Sequence, residues 1–404
     1  MGIKRLDALA EGMVLASDLK GPDGRLLFKA GTALSVRHAE VLARMGVTEV
    51  DIREDVTFSE EQLREIEDYV RDFFLYSNPD FAPTIEMFHI GLDQVAGAVV
   101  NGWTLPDLSV RRAANLEHLE DIFLAGMGTP EAIVKHESEL ASFPDIYFRI
   151  REMLADERAS ADSIAAVVGT DVSLSAKLLK LVNSPFYGFP QEIDSITRAV
   201  ALIGHHELST LALGISAINY FRDIPPELVD MRSFWRHSIT CGVIARILTG
   251  HLSGLSPERF FTAGLLHDVG RLILFKKLPY ACTEAMLYAR ESSIPLVEAE
   301  REVMGFCHTD ISRPLLISWK FPESLSNMVN YHHDPMMFPN PLEPSIIHLA
   351  DTLTNVVELA QGGMYAVPAL DEAAWEQLGI APNLLRGVAD ACREQIEAIM
   401  EAFF

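Results

Sequence analysis

A histidine and an aspartate stand side by side in the segment Leu265-Leu-His-Asp-Val-Gly-Arg271. A neutral imidazole and a carboxylate together suit a hard or borderline divalent metal ion. Neighbouring residues on a helix point about 100° apart, so both side chains can reach one ion only near a helix end or a bend. Gly270 offers such a bend. His267 and Asp268 are therefore candidate ligands of a metal ion.

Further imidazole and carboxylate groups lie on either side of this segment. His237 shares a helical stripe with Cys241, Ile244 and Leu248, which predicts that it faces inward. Asp351 lies on an otherwise apolar helical stripe, where a bare carboxylate is costly. A metal ion, a buried arginine or a helix end would each supply the partner it needs. The same part of the chain also holds His308, His332, His333 and His348.

Each of these side chains also has an ordinary structural explanation. A single inward histidine such as His237 is usually a core residue bonded to a backbone carbonyl. Asp351 could cap a turn or pair with an arginine. His308 could be a packing residue, and His332 with His333 could lie on an exposed turn. The metal hypothesis depends on the whole set, because coordination needs several converging ligands.

Capping signals and apolar spacing indicate a helical chain from about residue 131. We therefore expect helices to position these residues. Ser160, Asp171 and Ser195 are the predicted N-caps of three successive helices. Later helices are predicted around residues 208–221, 232–249, 258–275, 281–292 and 344–361. Residues 361–404 are expected to form a helical tail that packs back on them.

The amino-terminal region has a different pattern, and residues 1–56 predict a small, separable β-rich module. Its expected strands fall within Met13–Leu19, Arg25–Phe28 and Thr48–Ile52, with a turn at Gly21–Gly24 and a short helix over Ser35–Met45. Residues 57–130 predict a helical region that starts with a helix over Glu60–Tyr76. The expected domains are therefore 1–56, 57–130, 131–360 and 361–404.

The charge balance narrows the classes of partner. The 404-residue chain has 33 basic and 57 acidic residues and a formal net charge of −24. Such a chain repels phosphate backbones and anionic lipid, so we expect no direct binding to nucleic acid or to membranes. No apolar run approaches the ~18 residues of a membrane span. The four cysteines lack C-x-x-C spacing and suit a reducing compartment, which predicts a cytoplasmic location.

The order of His237, the His267–Asp268 pair and Asp351 resembles the HD superfamily of metal-dependent phosphohydrolases. Over about residues 131–360 the chain looks like the HDOD domain, the HD-related output domain of bacterial signalling proteins. The segments that carry this second resemblance are Leu140–Asp145, Leu178–Pro185, Ser195–Gly204, Phe234–Ser238 and Tyr331–Pro335. The resemblance implies a mainly α fold, with an HD-like helical half over about 230–360 and a second helical subdomain.

The resemblance also implies two metal ions that share one carboxylate. The ligands of the first ion would be His237, His267, Asp268 and Asp351. The ligands of the second would be Asp268, His308 and one or both of His332 and His333. The expected ion is a divalent metal such as iron or manganese, with no organic cofactor. The expected catalytic residues are Asp268 and Arg271.

Two departures from HD-GYP relatives bear on activity. Those relatives place Gly-Tyr-Pro soon after the paired histidines, whereas this chain reads His333-Asp-Pro-Met-Met-Phe-Pro339. They also carry a lysine at the position of Arg271. Arginine can clamp a phosphate with two hydrogen bonds but does not donate a proton near neutral pH. The sequence therefore does not predict cyclic-dinucleotide hydrolysis of the HD-GYP type.

Three functions remain open at this point. The chain could be a signalling module that acts by binding an unidentified signalling protein. It could be a metal-dependent phosphohydrolase or phosphodiesterase. It could also be a sensor whose pocket binds a nucleotide-type small ligand without cleaving it. The family resemblance favours the first function, and the retained histidines and aspartates favour the other two.

Overall fold

Helices dominate the computed structural model, as the sequence predicts, and its strands lie within the first 52 residues. The predicted turn at Gly21–Gly24 lies outside the described residues, as does the predicted helix over Ser35–Met45 apart from Leu42. The structure describes residues 2–6, 16, 19–20, 26–28, 42, 47–52, 60–71, 73–74, 77–100, 102–105, 130, 133–134, 145–155, 160–221, 224, 229–252, 254–359 and 366–404.

Residues Met1–Arg64 form the first of two compact units. Strand β1 (Gly2–Arg5) pairs antiparallel with β4 (Glu49–Ile52), and β2 (Leu19–Lys20) pairs antiparallel with β3 (Leu26–Phe28). β1 escapes prediction because its four residues include a single large apolar side chain, too few for an alternating pattern. The apolar residues packed in this unit are Leu6, Leu19, Leu27, Leu42, Val47 and Val50.

Helix α1 (Glu60–Arg71) is shorter than the predicted helix over Glu60–Tyr76. The reason lies just beyond its end. The backbone N–H groups of Phe73 and Phe74 donate to the carbonyl oxygens three residues earlier, rather than four residues earlier as in an α-helix. The carbonyl of Phe73 then accepts the N–H of Val367 at 2.8 Å. A long-range hydrogen bond therefore replaces the next turn of the helix.

The second unit, Glu65–Phe404, holds the remaining helices. Those up to residue 266 are α2 (Ala82–Val100), α3 (Asp145–Ala155), α4 (Ala161–Val168), α5 (Val172–Val182), α6 (Ile196–Ile203), α7 (His205–Tyr220), α8 (Met231–Thr249) and α9 (Pro257–Leu266). After them come α10 (Val269–Lys277), α11 (Pro279–Ser292), α12 (Leu296–Met304), α13 (His308–Ser318), α14 (Glu323–Asn330), α15 (Leu342–Val357), α16 (Glu372–Leu378) and α17 (Leu384–Phe403).

The three predicted N-caps are confirmed. The side chain of Ser160 accepts a hydrogen bond from the third residue of α4, and Asp171 and Ser195 do the same for α5 and α6. Each cap satisfies a backbone N–H that the helix itself leaves without a partner.

The predicted helix over residues 258–275 is wrong as a single element. α9 ends at Leu266 and α10 begins at Val269, so the chain leaves the helical path at His267–Asp268. The bend is not at Gly270, which lies inside α10. A Cβ at Gly270 would stand 2.0 Å from the carbonyl oxygen of His308. This glycine is needed because α10 and α13 pack at close range.

Helix α8 lies at the centre of the second unit and packs against α9, α15 and α17. Its contact with α9 depends on two glycines, since a Cβ at Gly264 would stand 2.6 Å from the Cα of Gly242. This close approach brings the start of α8, with His237, towards the end of α9, with His267.

Replacing Gly264 with alanine is expected to destabilise the protein by ~1–3 kcal/mol, the usual cost of forcing extra atoms into a packed core. Gly387→Ala is the matched control, because it lies inside α17 with no atom within 4 Å of its added Cβ. That change should stabilise the helix by roughly 0.5–1 kcal/mol. Urea denaturation measures both. Equal effects of the two substitutions would contradict the close packing of α8 on α9.

The carboxy-terminal helix packs back on the rest of the unit, as expected. α17 contacts α2, α5 and α8. Arg386 pairs with Glu86 and Asp93 of α2, and Glu397 pairs with Arg236 of α8. Across the described residues, no helix combines the length and the apolar character needed to cross a membrane.

Candidate metal centre

Five parts of the fold bring the predicted ligands together. His237 lies near the start of α8, and His267 and Asp268 occupy the break between α9 and α10. The other contributions are His308 at the first position of α13, His332 and His333 directly after α14, and Asp351 in the middle of α15.

The first group of ligands meets around Asp351. Its Oδ1 lies 3.2 Å from Nε2 of His237 and 3.6 Å from Nε2 of His267. Nε2 of His267 also lies 3.4 Å from Oδ2 of Asp268. His237, His267 and Asp268 each offer a ligand atom within 4.8 Å of the others. The four residues of the implied first site are therefore brought together.

The second group meets on the other side of Asp268. Nε2 of His308 lies 3.1 Å from Oδ1 of Asp268. Asp268, His308, His332 and His333 each offer a ligand atom within 4.8 Å of the others. His267, His332 and Asp351 form a further group by the same measure, which places His332 between the two sites. Asp268 thus belongs to both implied sites.

Hydrogen bonds at Nδ1 fix which ring nitrogen is free in three of the histidines. Nδ1 of His267 lies 2.6 Å from the carbonyl oxygen of Gly264, and Nδ1 of His332 lies 2.7 Å from that of Val329. A carbonyl only accepts, so these Nδ1 atoms carry the proton. Nδ1 of His308 lies 2.6 Å from a carboxylate oxygen of Glu300. All three rings turn Nε2 towards the centre, as metal-binding histidines do.

Several buried acceptor atoms at the centre have no hydrogen-bond partner among the described residues. They are Nε2 of His267, His332 and His333. Nε2 of His308 and Oδ1 of Asp268 lie 3.1 Å apart and form an ion pair when the imidazole is protonated. Leaving a buried imidazole nitrogen unpaired costs about 1–3 kcal/mol. Metal ions held by the two groups would satisfy these nitrogens, because each of the three histidines offers a ligand atom within 4.8 Å of other candidate ligands. The donor set of imidazoles and carboxylates fits a divalent transition metal.

In the metal-free protein, two of the buried histidines have a raised pKa and others have a lowered pKa. Burial disfavours a charged His237, yet Asp351 and Glu358 raise its pKa to about 10. Burial and Arg271 oppose the charge on His308, yet Glu300 and Asp268 raise its pKa to about 9. Burial, with nearby histidines, lowers the pKa of His332 to about 3. Burial lowers the pKa of His267 as well.

The metal-free protein is expected to lose stability as the pH rises from about 6.5 to about 10. His237 and His308 have folded-state pKa values of about 10 and about 9, above the ordinary value of 6.5. Their contribution is therefore complete below that ordinary value and disappears as the pH passes the raised values. Urea denaturation in chelator measures the loss. It should be smaller in His237→Gln, and an unchanged loss would contradict these ion pairs.

Two glutamates of the site were not predicted from the sequence. Oε2 of Glu300 accepts from the backbone N–H of His308 at 2.9 Å, and Oε1 accepts from Nε of Arg271 at 2.9 Å. Oε2 of Glu358 lies 3.1 Å from Nδ1 of His237. Glu358 follows Asp351 by two helical turns, so a search for acids on that stripe could have found it. Glu300 has no comparable signal.

His348 is not aimed at the centre. Its Nδ1 donates to the carbonyl oxygen of His332 at 2.7 Å, and its Nε2 accepts from the N–H of Asp371 at 3.0 Å. Both ring nitrogens are occupied by the backbone. His348 therefore supports the position of His332 and does not offer a ligand atom.

A cavity of about 400 Å³ opens beside the candidate metal ligands. Arg271 lines it while pairing with Asp268 and Glu300. Phe275 and Leu296 contribute to an apolar wall. The cavity is therefore lined by candidate metal ligands together with apolar side chains. The side chains of the metal groups that line it are His237, Asp268, His333 and Asp351.

Comparison with known proteins agrees with this fold. Residues 140–335 match the family model of the HDOD domain. An uncharacterized protein of Treponema pallidum (strain Nichols) is 23% identical over 222 residues, which cover 54% of this chain. The chain covers only 42% of the length of that curated relative.

Three crystal structures share the fold at low sequence identity. An HDOD domain protein with unknown function from Geobacter sulfurreducens is 22% identical, with a TM-score of 0.55 over 68% of this chain and 98% of that chain. A candidate phosphohydrolase from Shewanella amazonensis SB2B is 21% identical, with a TM-score of 0.53 over 69% and 100%. A candidate signal transduction protein from Marinobacter aquaeolei VT8 is 21% identical, with a TM-score of 0.54 over 76% and 68%. Residues 140–335 of this chain are therefore an HDOD domain.

Proposed function

We propose that this HDOD protein is a signalling module whose metal pocket binds a small phosphorylated ligand, with hydrolysis at most slow. One observation carries the proposal. Nε2 of His267, His332 and His333 is buried among the candidate ligands without a hydrogen-bond partner among the described residues. A site that had become purely structural would be expected to satisfy such atoms within its own network.

The cavity beside the ligands supports a phosphorylated ligand. Divalent ions held by the two groups would bind phosphate oxygens and lower the pKa of a bound water. Arg271 lies at the same cavity wall, and a guanidinium recognises phosphate oxygens through paired hydrogen bonds. The organic part of the ligand would meet the apolar wall that includes Phe275 and Leu296.

The described cavity wall is less suited to proton transfer. Arg271 keeps its proton near neutral pH, because Asp268 and Glu300 outweigh burial and raise its pKa further. The carboxylate of Glu358 is hydrogen-bonded to His237 and to the hydroxyl of Thr240. The carboxylate of Asp230 accepts a hydrogen bond from the hydroxyl of Ser233. These acids accept hydrogen bonds rather than offering a proton to a leaving group. Binding is therefore better supported than fast turnover.

Metal-dependent phosphoester hydrolysis is the second candidate, and the position of Asp268 favours it. Its two carboxylate oxygens face different ligand groups, 3.4 Å from Nε2 of His267 and 3.1 Å from Nε2 of His308. A shared carboxylate is a common means of holding two metal ions in hydrolytic sites.

Metal analysis and a turnover panel test the proposal. Protein purified without a metal-affinity tag is analysed for bound elements, loaded with manganese or ferrous iron, and offered phosphomonoesters, nucleotides and cyclic dinucleotides. Binding with turnover far below ~10 per second supports a sensor. Turnover near that value, abolished by Asp268→Ala, would establish an enzyme instead. Protein that binds no divalent metal would overturn both candidates.

A further inference from the structure

Two glutamates hold one histidine from each ligand group, and this inference rests on the proposed metal pocket. We propose that Glu300 and Glu358 are positioning residues with separate targets. Glu300 sets the second group through His308, and Glu358 sets the first group through His237.

Glu300 fixes both the ring and the backbone of His308. Oε2 lies 2.6 Å from Nδ1 of the imidazole and 2.9 Å from the backbone nitrogen of the same residue. That backbone N–H belongs to the first residue of α13, so the carboxylate also satisfies a free donor at the helix start. Glu300 is itself only 3% exposed. The ring of His308 therefore has one preferred direction, with Nε2 towards Asp268.

Glu358 acts on a different helix. Its Oε2 lies 3.1 Å from Nδ1 of His237, and its Oε1 accepts from the hydroxyl of Thr240 at 3.0 Å. His237 and Thr240 are three residues apart on α8, so they lie on one face. The carboxylate therefore spans almost one turn of α8 and aims Nε2 of His237 at Asp351.

The two contacts differ from those of the other ligand histidines. His267 and His332 bond to carbonyl oxygens through Nδ1. A carboxylate partner orients an imidazole and also makes it a stronger ligand, and loss of such a partner typically costs about 10–100-fold in metal affinity. Each glutamate should therefore control the affinity of its own group.

Manganese titration of the full chain tests this assignment, by calorimetry together with electron paramagnetic resonance of free Mn²⁺. Glu300→Gln should weaken one of two Mn²⁺ sites by about 10–100-fold. The other site should change by a clearly smaller factor, because Glu300 reaches it only through Arg271 and the shared Asp268. Glu358→Gln should weaken the opposite site by a similar factor.

Paired substitutions identify which site is affected. The effect of Glu300→Gln should disappear when His308 is already alanine, and it should persist in His237→Ala. The effect of Glu358→Gln should disappear in His237→Ala and persist in His308→Ala. A merely structural glutamate would weaken Mn²⁺ binding equally in all backgrounds, and that result would overturn the proposal.

The remaining outcomes separate this inference from the proposed function. If the wild-type chain binds two Mn²⁺ ions and Glu300→Gln changes neither affinity, the positioning role is wrong while the metal pocket stands. If the wild-type chain binds no Mn²⁺, the pocket and the positioning role are both refuted. Circular dichroism checks folding. Should a glutamine variant not fold, Glu300→Asp and Glu358→Asp keep the charge and withdraw the carboxylate, and unchanged affinities there would overturn the proposal.

Discussion

Replacing Asp268 with asparagine is expected to abolish metal binding at both candidate ligand groups. Its carboxylate faces His267 on one side and His308 on the other, so its negative charge serves both ligand groups. Asparagine has nearly the same shape but no charge. The loss of affinity should exceed the ~100-fold upper range for an outer carboxylate, because Asp268 is placed to contact the ions directly. Elemental analysis and Mn²⁺ titration of the purified variant measure the effect.

Asp171→Asn is the matched control for this substitution. Asp171 caps α5 by accepting from the N–H of Leu174, and asparagine caps helices about as well as aspartate. The control protein should bind metal like the wild type. If Asp268→Asn instead retains both ions with unchanged affinity, Asp268 is not the shared ligand and the two-ion arrangement is wrong.

The family resemblance, carried by residue types and their order, predicted which side chains meet at the centre. Asp351 lies far along the chain from Asp268, yet the fold brings both to the Nε2 atom of His267. Helix caps were also readable from the sequence, because a cap depends on residues only three positions apart, as at Ser160 and Ser163. Local capping signals therefore predicted several helix starts. The order of histidines and aspartates shared with the HD superfamily predicted the candidate ligands.

The helix break at His267–Asp268 could not be placed from the sequence. Its segment is apolar on both sides and contains a glycine at 270, which drew the predicted bend to the wrong residue. Gly270 is there for a tertiary reason, since α13 passes against it. The short helices between residues 296 and 330 were likewise missed, because eight to eleven residues give little periodic signal.

Glu300 and Glu358 escaped prediction because their role comes from distant partners. Glu358 meets His237 across 121 positions of sequence, and only the packing of α15 on α8 creates that contact. The sequence also left open whether these histidines and aspartates bind metal or are ordinary structural residues. The geometry bears on that question, since carboxylates and carbonyls occupy Nδ1 of three histidines and leave Nε2 for another partner.

Replacing Arg271 with methionine is expected to destabilise the metal-free protein by ~3–5 kcal/mol, the usual cost of removing one partner of a buried ion pair. Arg271 pairs with Asp268 and Glu300, and these carboxylates are nearly fully buried. Glu300 keeps its bonds to His308, but Asp268 loses its main counter-charge. A divalent ion at the shared site would supply that charge again. The destabilisation should therefore be clearly smaller when the protein is saturated with Mn²⁺.

Arg259→Met separates this effect from a general loss of charge. Arg259 pairs with Glu343 at 3.0 Å, but the two side chains are 24% and 30% exposed. A pair that water reaches contributes ~0–1 kcal/mol, so this variant should lose little stability and show no dependence on metal. Urea denaturation of both variants, each with chelator and with Mn²⁺, gives the four free energies of unfolding to be compared. If Arg271→Met loses the same free energy of unfolding in both conditions, then the metal does not neutralise Asp268. The charge that balances this carboxylate would then be the arginine alone, and the centre would be an ion-pair network rather than a metal site.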